Sequence, residues 1–406
     1  MKNFLRKPVS MAGVVLGAMA FACMPQDQNP VIDDSVVEYV KFQHGDIIPG
    51  KYIVRLNPTN LNFRKTKDYA SNQAAMRKIS MGILARYDIQ EASLGYVYGS
   101  SIEGFSVELS SEEFEKLSKD PAVKFIEPDR IMALAPPPGK GPGDGGGSDP
   151  AQETPWGITR VGGGQVYTGD AKAYVIDSGI DAAHPDLNVN SAIGFNAFTD
   201  KRDGDITKDG SGHGTHVAGT IAAIDNEIGV VGVAAGATVV PVKVLNSRGS
   251  GSYSGVIAGV DFVTATASNG DVANMSLGGP LSQALNDAVI ALGASGVKVA
   301  LAAGNESTDA NTKSPASANG PNIYTISATD INDRFASFSN FGNPPVDFAA
   351  PGVGVLSTVP GGGYASYNGT SMASPHVAGI LLTGNPRSGG NATNDPDGNA
   401  DQIAVK

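Results

Sequence analysis

The chain contains a single cysteine, Cys23, among 406 residues. One thiol excludes an intrachain disulfide and the zinc sites built on cysteine pairs. Tryptophan is as scarce, with Trp156 alone, and histidine occurs five times, so a histidine inside a patterned segment carries weight. Cations are the minority: 29 Lys and Arg against 40 Asp and Glu leave a net charge of −11, nearly all of it beyond Ala151. That sign repels phosphate backbones and excludes nucleic acid as a partner, while surplus carboxylates suit hard cations such as calcium. No uncharged apolar run reaches the roughly 20 residues that cross a bilayer. What is abundant is glycine, 52 residues, which points to tight turns and close backbone approaches.

The longest apolar run is Val9 to Ala22. It follows Lys2, Arg6 and Lys7 and ends in Ala20-Phe21-Ala22, so residues 1–22 read as a cleaved signal peptide. Cys23 comes next, which also fits a bacterial lipoprotein box. Both readings cut after Ala22 and place the protein outside the cytoplasm; they differ in whether Cys23 of the precursor carries a lipid anchor. Residues 23–48 are polar, contain Pro25 and Pro30, and read as a tether.

Residues 49–134 form a first domain. Lys51–Leu56 alternates as a strand and Lys65–Arg86 fits a helix. Leu94–Tyr98 and Gly104–Leu109 are strands, Ser110-x-x-Glu113 opens a short helix as a capping box, and Val123–Met132 is a last strand interrupted by Pro128. The order β-α-β-β-α-β is the split ferredoxin-like α+β pattern. Residues 135–152 are rich in proline and glycine and make a linker. From 153 to 384 short apolar strands (Ala171–Ile176, Val239–Leu245, Val272–Met275, Val297–Ala302, Ile323–Ser327) alternate with helical stretches near His213–Ile224, Ser254–Thr266, Leu281–Ser295 and Ser371–Leu382. Strands buried on both faces and separated by helices give an α/β domain, a mostly parallel sheet with helices on both faces. Residues 385–406 read as a polar tail.

Three segments carry chemistry. Val175-Ile176-Asp177-Ser178-Gly179 sets an aspartate where a buried strand ends. Gly212-His213-Gly214-Thr215-His216 and Gly369-Thr370-Ser371-Met372-Ala373-Ser374 set a histidine and a serine at helix starts. A serine hydroxyl needs a base, histidine suits that role near neutral pH, and the imidazole needs a carboxylate to fix its tautomer. The developing oxyanion needs donors: the Ser371 backbone N–H lies in a first helical turn, and Ala302-Ala303-Gly304-Asn305 adds a side-chain amide.

These segments, in the order Asp…His…Ser, resemble the subtilisin superfamily, in particular its proteinase K-like branch, over about Thr154 to Leu382. Pro155-Trp156-Gly157, Gly249-Ser250-Gly251-Ser252-Tyr253-Ser254, Ser276-Leu277-Gly278-Gly279 and Phe338-Ser339-Asn340-Phe341-Gly342 add to the likeness. The resemblance implies a secreted serine endopeptidase acting through an acyl-enzyme, with Asp177, His213 and Ser371 as triad and Asn305 in the oxyanion hole. It implies two edges for a polypeptide substrate, Gly249-Ser250-Gly251 and Ser276-Leu277-Gly278, and an S1 pocket lined by Ser276–Gly278 and Ala302, Ala303 and Gly304. Small residues there predict broad acceptance of apolar or aromatic P1 side chains, while Lys313 near the pocket base admits acidic ones. Gly50–Val54 and Val123–Asp129 resemble the family's inhibitory propeptide, which implies an autoprocessed zymogen cut between Met132 and Gln152 and a mature monomer. The family's calcium site maps onto the carbonyls of Pro321 and Ile323 and onto Asp347, with two extra residues between Ser317 and Pro321.

Other residues read more plainly. His216 and His376 are packed helix histidines, His184 a loop residue, and Trp156 a packing anchor. Ser374 lies a turn deeper than Ser371. The acidic groups Asp200, Asp203, Asp205, Asp209 and Asp395, Asp397, Asp401 read as solvated surface. Two other functions fit less of the sequence: a peptide ligase on the same fold, and an inactive calcium-stabilised scaffold, which has no need of all four catalytic positions.

Overall fold

Alternation along Ala173–Asp177 shows how the main sheet is built: Ala173 and Val175 enter one apolar cluster, Tyr174 and Ile176 the other. Both faces are therefore covered, and this strand is buried throughout. The computed structural model describes residues 43–134 and 150–406. The signal peptide, most of the tether and most of the linker lie outside the described residues.

Nine strands form the main sheet, in the order Arg387–Asn391, Gln402–Val405, Val346–Pro351, Ile323–Thr329, Lys298–Ala302, Val272–Met275, Ala173–Asp177, Val239–Lys243 and Phe195–Asn196. All neighbours run parallel except the Arg387–Asn391/Gln402–Val405 hairpin. Helices His213–Ala222 and Thr370–Thr383 contribute to the first cluster, and Tyr253–Thr266 and Gln283–Ala294 to the second. Among the described residues no helix is long and apolar enough to cross a membrane.

Residues 385–406 are not a free tail. Their hairpin closes one edge of the main sheet and buries Ala392 and Ile403 against Phe335 and Ala349. The polar composition misled because few side chains of the hairpin face inward.

The small domain has the expected order, with strands Ile47–Leu56, Leu94–Tyr98, Gly104–Glu108 and Val123–Ala133 and helices Tyr69–Ala85 and Ser111–Leu117. Ser110 and Glu113 form the capping box. The first strand begins at Ile47, inside the stretch read as tether, because Ile47 pairs with Arg130. Pro128 does not interrupt the last strand; it pairs with Tyr52. A separate core of Met76, Leu84, Val97, Phe105 and Leu117 holds this domain, while Ile53, Tyr98 and Met132 join the second cluster of the main domain. Tyr98, Phe105 and Met132 are wholly buried, and each such burial is worth roughly 1.5–3 kcal/mol.

Carboxylates fix the two domains together. Asp261 accepts hydrogen bonds from the Gly99, Ser100 and Ser101 N–H groups, Ser101 Oγ and Gln73 Nε2 at 2.6–3.2 Å. Asp129 takes the N–H and hydroxyl of Ser254 at the start of helix Tyr253–Thr266. Glu127 takes Ser282 Oγ and Gln283 N–H at the start of helix Gln283–Ala294. Negative charge is stabilised at helix N-termini.

Candidate active site

Asp177 ends its strand fully buried, with the ring nitrogen Nδ1 of His213 2.8 and 2.9 Å from its two carboxylate oxygens. A carboxylate only accepts at neutral pH, so Nδ1 carries the proton and Nε2 is left as the base. Close approach requires Gly214: a Cβ there would strike the Gly179 carbonyl oxygen. Burial opposes charging of His213, but the Asp177 charge and hydrogen bond, followed by the Asp209 charge, outweigh it and raise its pKa.

Ser371 sits in the first turn of helix Thr370–Thr383. Its hydroxyl donates to the Ser276 carbonyl at 3.1 Å, and among the described residues it makes no hydrogen bond to His213. Ser374 is fully buried and bonded to Ser276 Oγ at 2.9 Å, out of reach of a substrate.

Asn305 lies just past strand Lys298–Ala302. Its Oδ1 accepts from the Thr370 N–H at 2.8 Å and from Thr370 Oγ1 at 2.9 Å. With the oxygen engaged twice, the amide Nδ2 is left to donate. Thr370 Oγ1 also accepts the Gly304 N–H at 3.1 Å. Sequence reasoning passed over Thr370; its only signal was adjacency to Ser371.

The last strand of the small domain runs along one predicted substrate edge: Ser250, Gly251 and Ser252 pair with Ala133, Met132 and Ile131, and the Leu134 N–H reaches the Gly249 carbonyl at 2.9 Å. Gly251 is needed for a reason behind the edge, since a Cβ would meet the Val244 carbonyl. The other side of the tail is held by residues 44–46. Gly45 N–H and Asp46 carbonyl bond Ile131, and His44 Nδ1 accepts the Ala133 N–H. A cavity of about 540 Å³ opens beside Leu134, lined by Ser276, Leu277, Gly278, Ala302, Ala303 and Gly304 together with Asn305 and Ser371. Lys313 also lines it, with its ammonium 3.3 Å from the Glu306 carboxylate.

The first acidic group divides: Asp200 and Asp205 are solvated surface, Asp203 and Asp209 are not. Asp203 and Asp209 are buried because their loop folds over Lys243, itself 1% exposed. The Lys243 ammonium donates to the Ser178 and Lys208 carbonyls and lies 3.7 Å from Asp203. In the second group Asp401 is buried, bonded to Ser327 and Asn343. His216 stacks on Tyr367 with Nε2 facing two carbonyls, and burial brings its pKa down to about 3; His376 is likewise held at about 4. His184 is a buried loop residue facing the Gly363 carbonyl, and Trp156 bonds the Gly354 carbonyl.

No cluster of three or more His, Cys, Asp or Glu among the described residues could hold a metal by itself. At the expected calcium position, Asp347 is bonded through one oxygen to the Thr325 N–H. Strand alternation puts the Ile323 carbonyl on that same edge, which supplies two oxygen donors of the roughly six to eight that a calcium ion takes. Asn322, with φ of 64°, breaks the alternation between Ile323 and Pro321, and the Pro321 carbonyl lies against Gly293.

Comparison with known proteins agrees with this architecture. The subtilase family profile matches residues 171–383 and the peptidase inhibitor I9 profile residues 51–135. Subtilisin E of Bacillus subtilis is 43% identical over 288 residues, covering 68% of this chain and 70% of its own. Proteinase R of Parengyodontium album is 36% identical over 90% of this chain and 87% of its own. A crystal structure of a cold-adapted subtilisin-like serine proteinase, 39% identical, superposes with a TM-score of 0.53 over 62% of this chain and 97% of its own. The chain belongs to the subtilase family: it is a subtilisin-like serine protease preceded by an inhibitor I9 propeptide.

Proposed function

We propose that Ser371 is the nucleophile of this protease, His213 its base and then its acid, and Asp177 the carboxylate that holds the imidazole. The observation that carries the reading is the His213–Asp177 hydrogen bond, and it is supported by a cavity that Ser371 and Asn305 line together with the tail at Leu134. Ser371 Oγ turns from the Ser276 carbonyl toward His213 Nε2, gives it the proton and attacks the peptide carbonyl. Asn305 Nδ2 and the Ser371 N–H receive the oxyanion. Collapse passes the proton from His213 to the leaving amine, and water repeats the sequence on the acyl-enzyme.

The substrate adds as a strand to Gly249–Gly251, as Ile131–Leu134 does, with Ser276–Gly278 on its other side. The cavity is large and mostly apolar, which supports broad apolar or aromatic P1 preference. Self-cleavage falls just beyond Leu134, within 135–152, and the mature protease is a secreted monomer. If the precursor is anchored at Cys23, that cut frees the enzyme. A calcium ion at the Ile323 carbonyl and Asp347 would neutralise the carboxylate and brace adjacent strands; the Pro321 carbonyl, turned toward Gly293, is not among its ligands. Chelation lowers the thermal midpoint of the mature enzyme; an unchanged midpoint removes calcium from the account.

The deciding experiment is expression of wild type and Ser371→Ala. The variant accumulates as an uncut precursor; equal processing in both would show that another group is the nucleophile. Product analysis with an added amine separates hydrolysis from ligation.

A further inference from the structure

Asp209 is a carboxylate that the triad does not use, yet it is built into the triad's frame. It is 5% exposed and has no ion-pair partner among the described residues. One oxygen accepts from Ser178 Oγ at 2.9 Å, the Ser211 N–H at 3.1 Å and the Gly212 N–H at 2.9 Å. The other accepts from the Thr215 N–H at 2.9 Å and Thr215 Oγ1 at 2.8 Å.

Those donors come from both sides of the His213–Asp177 pair. Ser178 follows Asp177, and its hydroxyl also accepts the Gly214 N–H at 3.0 Å. Gly212 and Thr215 flank His213 on its helix. An ordinary N-cap side chain satisfies one or two N–H groups at its own helix start. Here a full charge takes five donors and ties the strand end carrying Asp177 to the helix start carrying His213.

We propose that Asp209 is a positioning residue for the hydrolysis: it braces the imidazole against Asp177 and supplies a second fixed negative charge that favours the imidazolium formed as Ser371 attacks. The inference rests on the triad assignment above. The other groups around the imidazole do not replace that charge. Asp177 is already spent on Nδ1. His216, on the same helix, stays neutral, and its neighbour Tyr367 has its hydroxyl pKa raised, first by burial and then by Asp209 itself. The Lys243 ammonium is taken by the Ser178 and Lys208 carbonyls and Asp203.

The test is Asp209→Asn in the full chain, with steady-state kinetics of the mature enzyme across pH. Removing the charge makes His213 less basic, so the acid limb of the kcat/KM profile moves to lower pH. The imidazolium is also less stabilised, so kcat falls by roughly tenfold with KM within about twofold of wild type. A fall in activity with the acid limb unmoved, or an unchanged kcat, overturns the proposal. Ser178→Ala separates brace from charge: it lowers kcat and leaves the acid limb in place, and a shifted limb counts against the assignment. Should Asp209→Asn fail to mature, His213 is titrated by NMR in Ser371→Ala with and without Asp209→Asn; equal midpoints overturn the idea. Processing by Ser371→Ala alone would sink the triad assignment, whereas these outcomes bear only on Asp209.

Discussion

His44 accepts the backbone N–H of Ala133 at 3.1 Å, on the side of the propeptide tail facing away from Gly251. Gly45, at φ 83° and packed on Pro280, makes the turn that brings the imidazole there. Acceptance needs an unprotonated Nδ1. Burial lowers the His44 pKa, partly countered by Glu306 and reinforced by Lys313. A base whose pKa is depressed in the docked state docks fully above its free value, near 6.5, and loses that stabilisation as pH falls below it. The propeptide of His44→Ala therefore inhibits mature enzyme several-fold less well at pH 7.5, and the two propeptides converge at pH 5. Parallel inhibition curves across that range would show that His44 contributes nothing.

Asp261→Ala leaves three consecutive N–H groups of the propeptide without their acceptor. Each lost charge-assisted bond costs about 1.5–3 kcal/mol, so the inhibition constant of the propeptide rises by at least ~100-fold. The mature enzyme keeps its kcat/KM on a short peptide, because the hydrogen bonds of the Asp261 carboxylate all go to the small domain. An unchanged inhibition constant would assign the hold to apolar burial alone.

Thr370→Val removes the hydroxyl that pins the Asn305 oxygen and keeps the backbone N–H that does the same. The amide is then less well aimed, and kcat falls by about threefold to thirtyfold at constant KM. Asn305→Ala loses the donor itself, roughly 10²–10³-fold, a magnitude established for the corresponding donor in subtilisin. Equal losses in the two variants would mean that Thr370 acts on more than amide orientation.

Asp401 has its carboxyl pushed up to about 6, chiefly by burial, with Asp395 and Asp397 adding to it against the bonds from Ser327 and Asn343. An acid raised in the folded state binds more protons there than when unfolded, so stability drops as pH rises from about 4 through about 6. Asp401→Asn accordingly raises the melting temperature at pH 7.5, by on the order of 1–3 kcal/mol of stability, and has little effect at pH 4. A lower midpoint at pH 7.5 would show that the ionised carboxylate is an asset to the hairpin.

Much of this site could be read before folding was considered. Asp177, His213, Ser371 and Asn305 stand at element ends, and runs such as Val272–Met275 are apolar enough on both faces to declare a parallel sheet. What stayed hidden depends on partners far along the chain. Asp209 looks like a solvated loop residue until Lys243, 34 positions later, draws the loop inward. Asp401 looks the same until Ser327 meets it. His44 carries no local pattern, and its place is set by the turn at Gly45 and the surface of Pro280. The hairpin Val355–Val359 and Gly363–Tyr367 did leave a signal: Pro360-Gly361-Gly362 between two β-rich runs is turn chemistry.

The small domain enters the cleft with one strand and has a core of its own, around Met76, Leu84, Val97, Phe105 and Leu117. Cutting the linker therefore leaves a folded competitor in place, and proteolysis of it waits on spontaneous opening of that core. Latency after the cut is then a kinetic property of residues that never meet a substrate. Phe105→Ala, which touches nothing in the cleft, shortens the delay; the protease keeps time by the interior of the part that it destroys.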